Sequence, residues 1–257
     1  MKSPALCVFL LAGLLACRVS LSPVKNRINI GVESYVVFDA EGEEGKGDLF
    51  AVPASGGKVF QLTFSRVHES APMLSPNGIM LAFIRGPRPE DTTGRRVWVL
   101  NLLNGAEREI PPVPDAYPER VAWAADGSAL YIRTRRGDFR AAAPPAESQV
   151  APIEPEGRAT ADTALSVPLG DPVAGIAQPC DSGGGLCVFT RGGSQLLAAT
   201  GRDPFRWGSD SVGYLSTEGL QVRPLGGGST RALRWSGVPP GVRTATYFPG
   251  LTATAER

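Results

Sequence analysis

Histidine is almost absent from this chain: His68 is the only one in 257 residues. A Ser-His-Asp triad needs a histidine beside a nucleophile and an orienting acid, and no such arrangement is apparent for His68, which sits next to Glu69 in what reads as a loop entering a repeat strand. There is no Gly-x-Ser-x-Gly elbow and no Gly-rich loop ending in Gly-Lys-Ser or Gly-Lys-Thr, so neither the hydrolase turn nor the phosphate cradle is present. No excess of one charge occurs either, with 26 basic against 25 acidic residues and a formal net charge of +1. That balance gives nucleic acid no footprint and leaves no solvated tail. No segment keeps a helical period, so an α/β enzyme fold is not expected. No cofactor motif is present.

What the chain does have is turn-forming residues, 31 Gly and 23 Pro. Both punctuate short strands. Its longest apolar run, Ala5–Ala16, follows Lys2 and is too short to span a bilayer, which takes about 20 residues. It has the length of a secretion signal. The run ends Leu14-Leu15-Ala16-Cys17, which resembles a bacterial lipobox with Cys17 as the lipidated first residue of the mature protein. Residues 1–16 are then the signal, 17–27 the lipidated Cys and tether, and 28–257 the folded domain. Because Arg18 follows, the resemblance implies the outer membrane, facing the periplasm or the cell surface. Of the 4 Cys, Cys7 leaves with the signal and Cys17 is the anchor. Cys180 and Cys187 remain as a pair in an oxidising setting, where a disulfide pinning a hairpin is expected. No His or further Cys nearby suggests a metal site there.

An internal repeat sets the architecture. Leu49–Pro53 with Gly57 and Leu62, Val97–Asn101 with Gly105 and Ile110, and Leu220–Pro224 with Gly228 and Leu233 align without a gap. Each reads as strand, glycine turn, strand. A second pattern is a turn leading into an apolar strand, as in Pro72–Gly78 before Ile79–Ile84 and Val121–Gly127 before Leu130–Ile132. A decayed copy, Phe205–Asp210, precedes Tyr214-Leu215. Leu74 to Trp123 spans 49 residues, Trp123 to Trp207 spans 84, and Leu49 to Leu220 spans 171. The last two are close to two and four times a four-stranded unit of about 40–45 residues, the period of a propeller blade, and the first is slightly longer than one such unit. Five units follow, with weak members near 137–155 and 173–200.

Pro72–Arg85, with Asp48-Leu49-Phe50 and Gly56-Gly57, resembles the TolB-type, WD-like propeller repeat, built on a Ser-Pro-Asp-Gly turn and an apolar strand. Asn77 stands in place of the Asp, and Ala125 in place of the next Pro. The resemblance is clear over 34–136 and 203–235 and faint between, where Pro144, Pro145, Pro152 and Pro155 interrupt strands. It implies an all-β propeller of four-stranded antiparallel blades. Five are countable, and TolB-like proteins usually have six. Asn26–Asp39 and Gly241–Phe248 are the segments expected to close the ring or to supply a sixth blade.

Such a scaffold hosts many functions. The reading here is a lipid-tethered, non-catalytic binding module for an envelope protein or glycan. The alternative is an enzyme or accessory subunit that acts on envelope polymers through the central channel, marked by a carboxylate pair about 5–9 Å apart. Asp181-Ser182-Gly183-Gly184 is similar to the nucleophile segment of trypsin-like proteases, but a Gly-rich hairpin tip explains it. Loop register suggests a binding face. Glu41, Glu43 and Glu44 fall between two strands of the first blade. Arg85, Arg88, Arg95 and Arg96 take the same slot in the second, and Arg133, Arg135 and Arg136 in the third. Equivalent loops lie side by side on one face, so an acidic loop should adjoin two basic ones, and Arg suits recognition of carboxylates. The three Glu could also attract a cation, but an exposed acidic turn is the ordinary expectation.

Overall fold

A computed structural model of the chain describes residues 24, 26–43, 45–145, 150–153, 177–180, 185–190, 193–207, 210–216 and 219–251. Strand β1 (Tyr35–Glu41) shows why the chain folds as stacked sheets. Alternate side chains of a strand point to opposite faces. In β1, Tyr35 and Val37 join one core cluster while Val36, Phe38 and Ala40 join another. A strand apolar on both faces must lie between two other sheets.

Five antiparallel sheets follow in chain order. The first combines β1 with β2 (Gly47–Pro53) and β4 (Phe60–Gln61). Between the last two, β3 (Gly57–Lys58) stands apart. The second sheet holds β5 (His68–Leu74), β6 (Met80–Gly86), β7 (Arg96–Asn101) and β8 (Glu107–Glu109). The third holds β9 (Arg120–Trp123), β10 (Ala129–Thr134), β11 (Gly137–Ala142) and β12 (Ala151–Pro152). The fourth has β13 (Ala177–Pro179), β14 (Leu186–Thr190) and β15 (Gly193–Ala198). The fifth has β16 (Arg202–Trp207), β17 (Ser211–Ser216), β18 (Gly219–Pro224) and β19 (Arg231–Ala232). Next, β20 (Trp235–Ser236) pairs in parallel with β3. Finally β21 (Ala245–Phe248) pairs with β1 as the innermost strand of the first sheet, Tyr35 opposite Phe248.

The fold is an all-β propeller, with five blades among the described residues. The sixth blade allowed by the sequence is not formed among the described residues, because β21 completes the first blade. The weak repeat at 137–155 is the outer half of the third blade, and 173–200 contains the fourth. Pro152 was expected to break a strand, yet it pairs with Phe139 in β12. Its position at a sheet edge explains this, since an edge proline gives up no ladder hydrogen bond.

The blades pack through the inner strands: β5 touches both β21 and β9, and β16 touches both β13 and β21. Phe205, Trp207, Leu215 and Leu220 bury against Phe38 and Phe50 between blades five and one. Trp123 packs with Val97 and Val99 between blades two and three, and its Nε1 donates to the Met73 carbonyl (2.9 Å). The repeat turn is built by side chains. Ser75 Oγ donates to Asn77 Oδ1, which accepts from the Ile79 amide. Gly78 takes a φ of 66°, and a Cβ there would meet the Phe248 ring at 2.7 Å. Glycine is required by both the backbone and the space.

Candidate functional site

The connections from second to third strand lie on one face of a propeller, as do the starts of the innermost strands. This rim carries the charged residues singled out in the sequence. In blade one it holds Glu41, at the end of β1, and Glu43, both exposed; Glu44 lies outside the described residues. In blade two, Arg85 and Arg96 are strand residues flanking the loop that holds Arg88 and Arg95. In blade three, Arg133 lies in β10, and Arg135 and Arg136 form the turn. The structure therefore brings the three groups to one rim.

It also divides them by task. Arg85 is consumed internally. Its Nε and Nη2 reach Glu69 Oε1 (2.8 and 2.5 Å), Nη2 reaches Glu107 (3.0 Å), and the guanidinium lies 4.3 Å from the Trp98 ring centre. Arg133 forms a bidentate pair with buried Asp138, both contacts 2.9 Å. Arg95 folds back on the carbonyls of Asp91 and Pro89, and Arg96 lies 3.6 Å from Glu109. Arg88 is exposed. Arg135 is 81% exposed although it touches Glu119 (2.9 Å), and Arg136 stands 4.0 Å from Asp115. Exposed pairs of this kind hold a side chain weakly, so Arg88, Arg135 and Arg136 are free to meet a partner.

Closer to the axis lies a group that sequence reading missed. Asp39 is wholly buried in β1. Its Oδ1 accepts from the Thr244 amide (2.8 Å) and the Thr244 hydroxyl, while Oδ2 has no partner. Burial pushes its pKa up to about 6, with the Thr244 hydrogen bonds and the charge of Arg243 pulling the other way. Arg243 in turn has a buried Nη1 without a partner. Glu69 is raised too, chiefly by burial against the pull of Arg85, and its Oε2 is unpartnered.

His68, expected in a loop, is the first residue of β5 and is buried. Its Nδ1 accepts from the Gly47 amide (2.9 Å), tying blade two to blade one. Burial lowers its pKa to about 4, helped by Arg243 and Arg95, so the ring is neutral at pH 7. The one available signal for this group was an Asp inside an apolar run, Tyr35–Ala40. Two innermost strands begin on exposed arginines, Arg120 and Arg202, and Arg202 also donates to the Val242 carbonyl (3.0 Å). With Arg243, they give the inner rim a basic character.

Cys180 and Cys187 are joined by a disulfide that spans the first two strands of blade four. Cys17, residues 1–16 and the tip Asp181–Gly184 lie outside the described residues. Among the described residues, no cluster of three His, Cys, Asp or Glu side chains could hold a metal, and no helix is long and apolar enough to cross a membrane.

Comparison with solved structures returns propellers. The chain is similar to TolB from Acinetobacter baumannii, with 10% identity and a TM-score of 0.40, over 77% of this chain and 52% of that one. It is similar to a protein described as TolB from Agrobacterium tumefaciens, with 16% identity and a TM-score of 0.39, over 84% and 74%. It is also similar to a chain of a nidogen/laminin complex, with 11% identity and a TM-score of 0.49, over 83% and 98%. The chain spans about half the length of the A. baumannii protein. No family model and no curated protein matches the sequence.

Proposed function

We propose that this protein is an exported, lipid-anchored binding module, and that its strand-connection rim docks an acidic face of an envelope protein or glycan. The observation that carries the reading is the set of outward arginines at that rim. Arg88, Arg135 and Arg136 occupy two adjacent connections, and Arg120 and Arg202 stand nearer the axis. Guanidinium groups suit bidentate capture of carboxylates, and a patch of one sign raises encounter rates. The N-terminal signal pattern and Cys17 support export and anchoring, and the Cys180–Cys187 bridge suits an oxidising compartment.

The test replaces Arg88, Arg120, Arg135 and Arg136 with Glu and compares capture of partners from solubilised envelope membranes at low salt. The expected result is loss of the species held by the native protein, with the unfolding midpoint unchanged. Undiminished capture by a folded variant refutes the rim. The enzymatic alternative has one point in its favour, the raised pKa of Asp39. Against it, the Asp39 side chain is closed to solvent.

A further inference from the structure

Blade four ends one strand early. In blades one, two, three and five, a fourth strand (β4, β8, β12 and β19) follows the third before the chain moves to the next innermost strand. In blade four the chain leaves β15 at Ala198 and enters β16 at Arg202. Residues 199–201 are too few to form a strand along β15 and then reach the axis, since a strand advances about 3.3 Å per residue. The place of the fourth strand is therefore vacant among the described residues, and β15 is an edge.

Among the described residues no strand covers that edge, and Arg223 reaches the backbone of β15 at the Leu197 carbonyl. Exposed sheet edges are usually blunted by Lys, Pro or an inward charge. Gly193–Ala198 reads Gly-Ser-Gln-Leu-Leu-Ala, with neither charge nor proline. Ser194, Gln195 and Leu196 are exposed, Leu196 by 54%. Beside the edge is a small pocket between blades four and five, lined by Gln195, Leu196 and Leu197 on one side and Arg223, Pro224 and Leu225 on the other. Arg223 donates from Nη1 to the Leu197 carbonyl, and its Nε is buried without a partner. An open strand edge next to a small pocket of mixed polar and apolar lining, with a cation at its wall, fits an extended segment carrying an acidic residue. Main-chain bonds would supply affinity and the pocket specificity.

We propose that β15 is an acceptor strand: an extended segment of a partner protein adds as the missing fourth strand of blade four and sets an acidic side chain against Arg223. This surface is separate from the charged rim and does not depend on that reading.

A fluorescein-labelled, end-blocked peptide Thr-Val-Glu-Val-Thr-Val tests it by anisotropy with the full chain. The native protein should bind this peptide. It should bind the version with Lys for Glu roughly five-fold more weakly or worse. Methylation of alternate backbone nitrogens should abolish binding, since the ladder cannot form. Leu196→Lys should also abolish it while leaving the unfolding midpoint in place. Hydrogen exchange supplies a readout independent of any variant. The outward amides of Gly193–Ala198 should exchange fast in the free protein and slowly with peptide. No binding, or equal binding of the Glu, Lys and methylated peptides, overturns the proposal. Slow exchange in the free monomer would mean that the chain covers its own edge, and slow exchange in a dimer seen by sedimentation would mean a second copy does. Either result overturns it.

Discussion

Asp39→Asn should make the protein more stable at neutral pH and tilt its pH dependence upward relative to that of the native protein. Asparagine copies the protonated acid: it keeps an oxygen to accept from Thr244 and puts a neutral group where Oδ2 lies without a partner. In the folded state the Asp39 pKa is about 6, against 3.8 for a free carboxyl. Each unit corresponds to about 1.4 kcal/mol, so above pH 6 the ionised form costs about 3 kcal/mol. The sign follows from linkage. A folded pKa raised above the unfolded one means that stability falls as pH rises from about 4 through about 6. His68 acts in the opposite sense. Its folded pKa of about 4 lies below 6.5, so stability is lost as pH falls from 6.5 towards 4. After allowance for solvent screening at the rim, that amounts to about 1–2 kcal/mol. In the native protein the two trends oppose one another across the same window. Asp39→Asn removes the Asp39 trend and leaves those of His68 and Glu69, which both proteins share, so the variant's stability should climb relative to the native protein's from pH 4 to pH 6.5. Urea unfolding followed by tryptophan fluorescence, with the disulfide intact, measures this at pH 4, 5.5 and 7.5. The two proteins should agree near pH 4, and the variant should lead by about 2–3 kcal/mol at pH 7.5. A variant no more stable than the native protein at pH 7.5, or two parallel pH curves, refutes the reasoning.

Arg85→Ala strips buried Glu69 of its cation and should destabilise the fold by about 3 kcal/mol in denaturant titration, whereas Arg85→Leu combined with Glu69→Leu should recover most of the loss. Replacing Cys180 and Cys187 by Ser opens a loop with a sequence separation of only 7, so the cost should stay at or below about 2–3 kcal/mol, and mass spectrometry of the non-reduced native protein should find both thiols blocked. Metabolic labelling with a fatty-acid probe should tag the native protein and leave Cys17→Ala dark; equal labelling of both would rule out the anchor.

The blade count was legible because the hairpins with Gly57, Gly105 and Gly228 recur at about one and three blade lengths and because the Asn77-Gly78 and Asp126-Gly127 turns force tight connections. Blade four was faint for a physical reason: among the described residues it has three strands instead of four, and a disulfide joins its first two. The rim was found by register, which places equivalent loops side by side. Register says nothing about which cation is already paired, and Arg85 and Arg133 proved to be held by Glu69 and Asp138. The Asp39 group stayed hidden because its partners Thr244 and Arg243 lie at the far end of the chain. Only closure of the ring brings them together.

That closure dictates an order of events. Tyr35 and Val36 find their ladder partners in Phe248 and Tyr247, among the last residues described. While the chain is being made, β1 has β2 on one side and nothing on the other. Its inner edge stays bare until nearly every other strand exists. Pairing between such distant segments is slow to form. Until the ring closes, the unsatisfied backbone of β1 is an edge open to stray strands. The buried Asp39 sits on that strand, two-thirds of the way towards the rim. A charge there keeps the open edge wet and unattractive to stray strands, and loses its water only when Thr244 arrives to replace it.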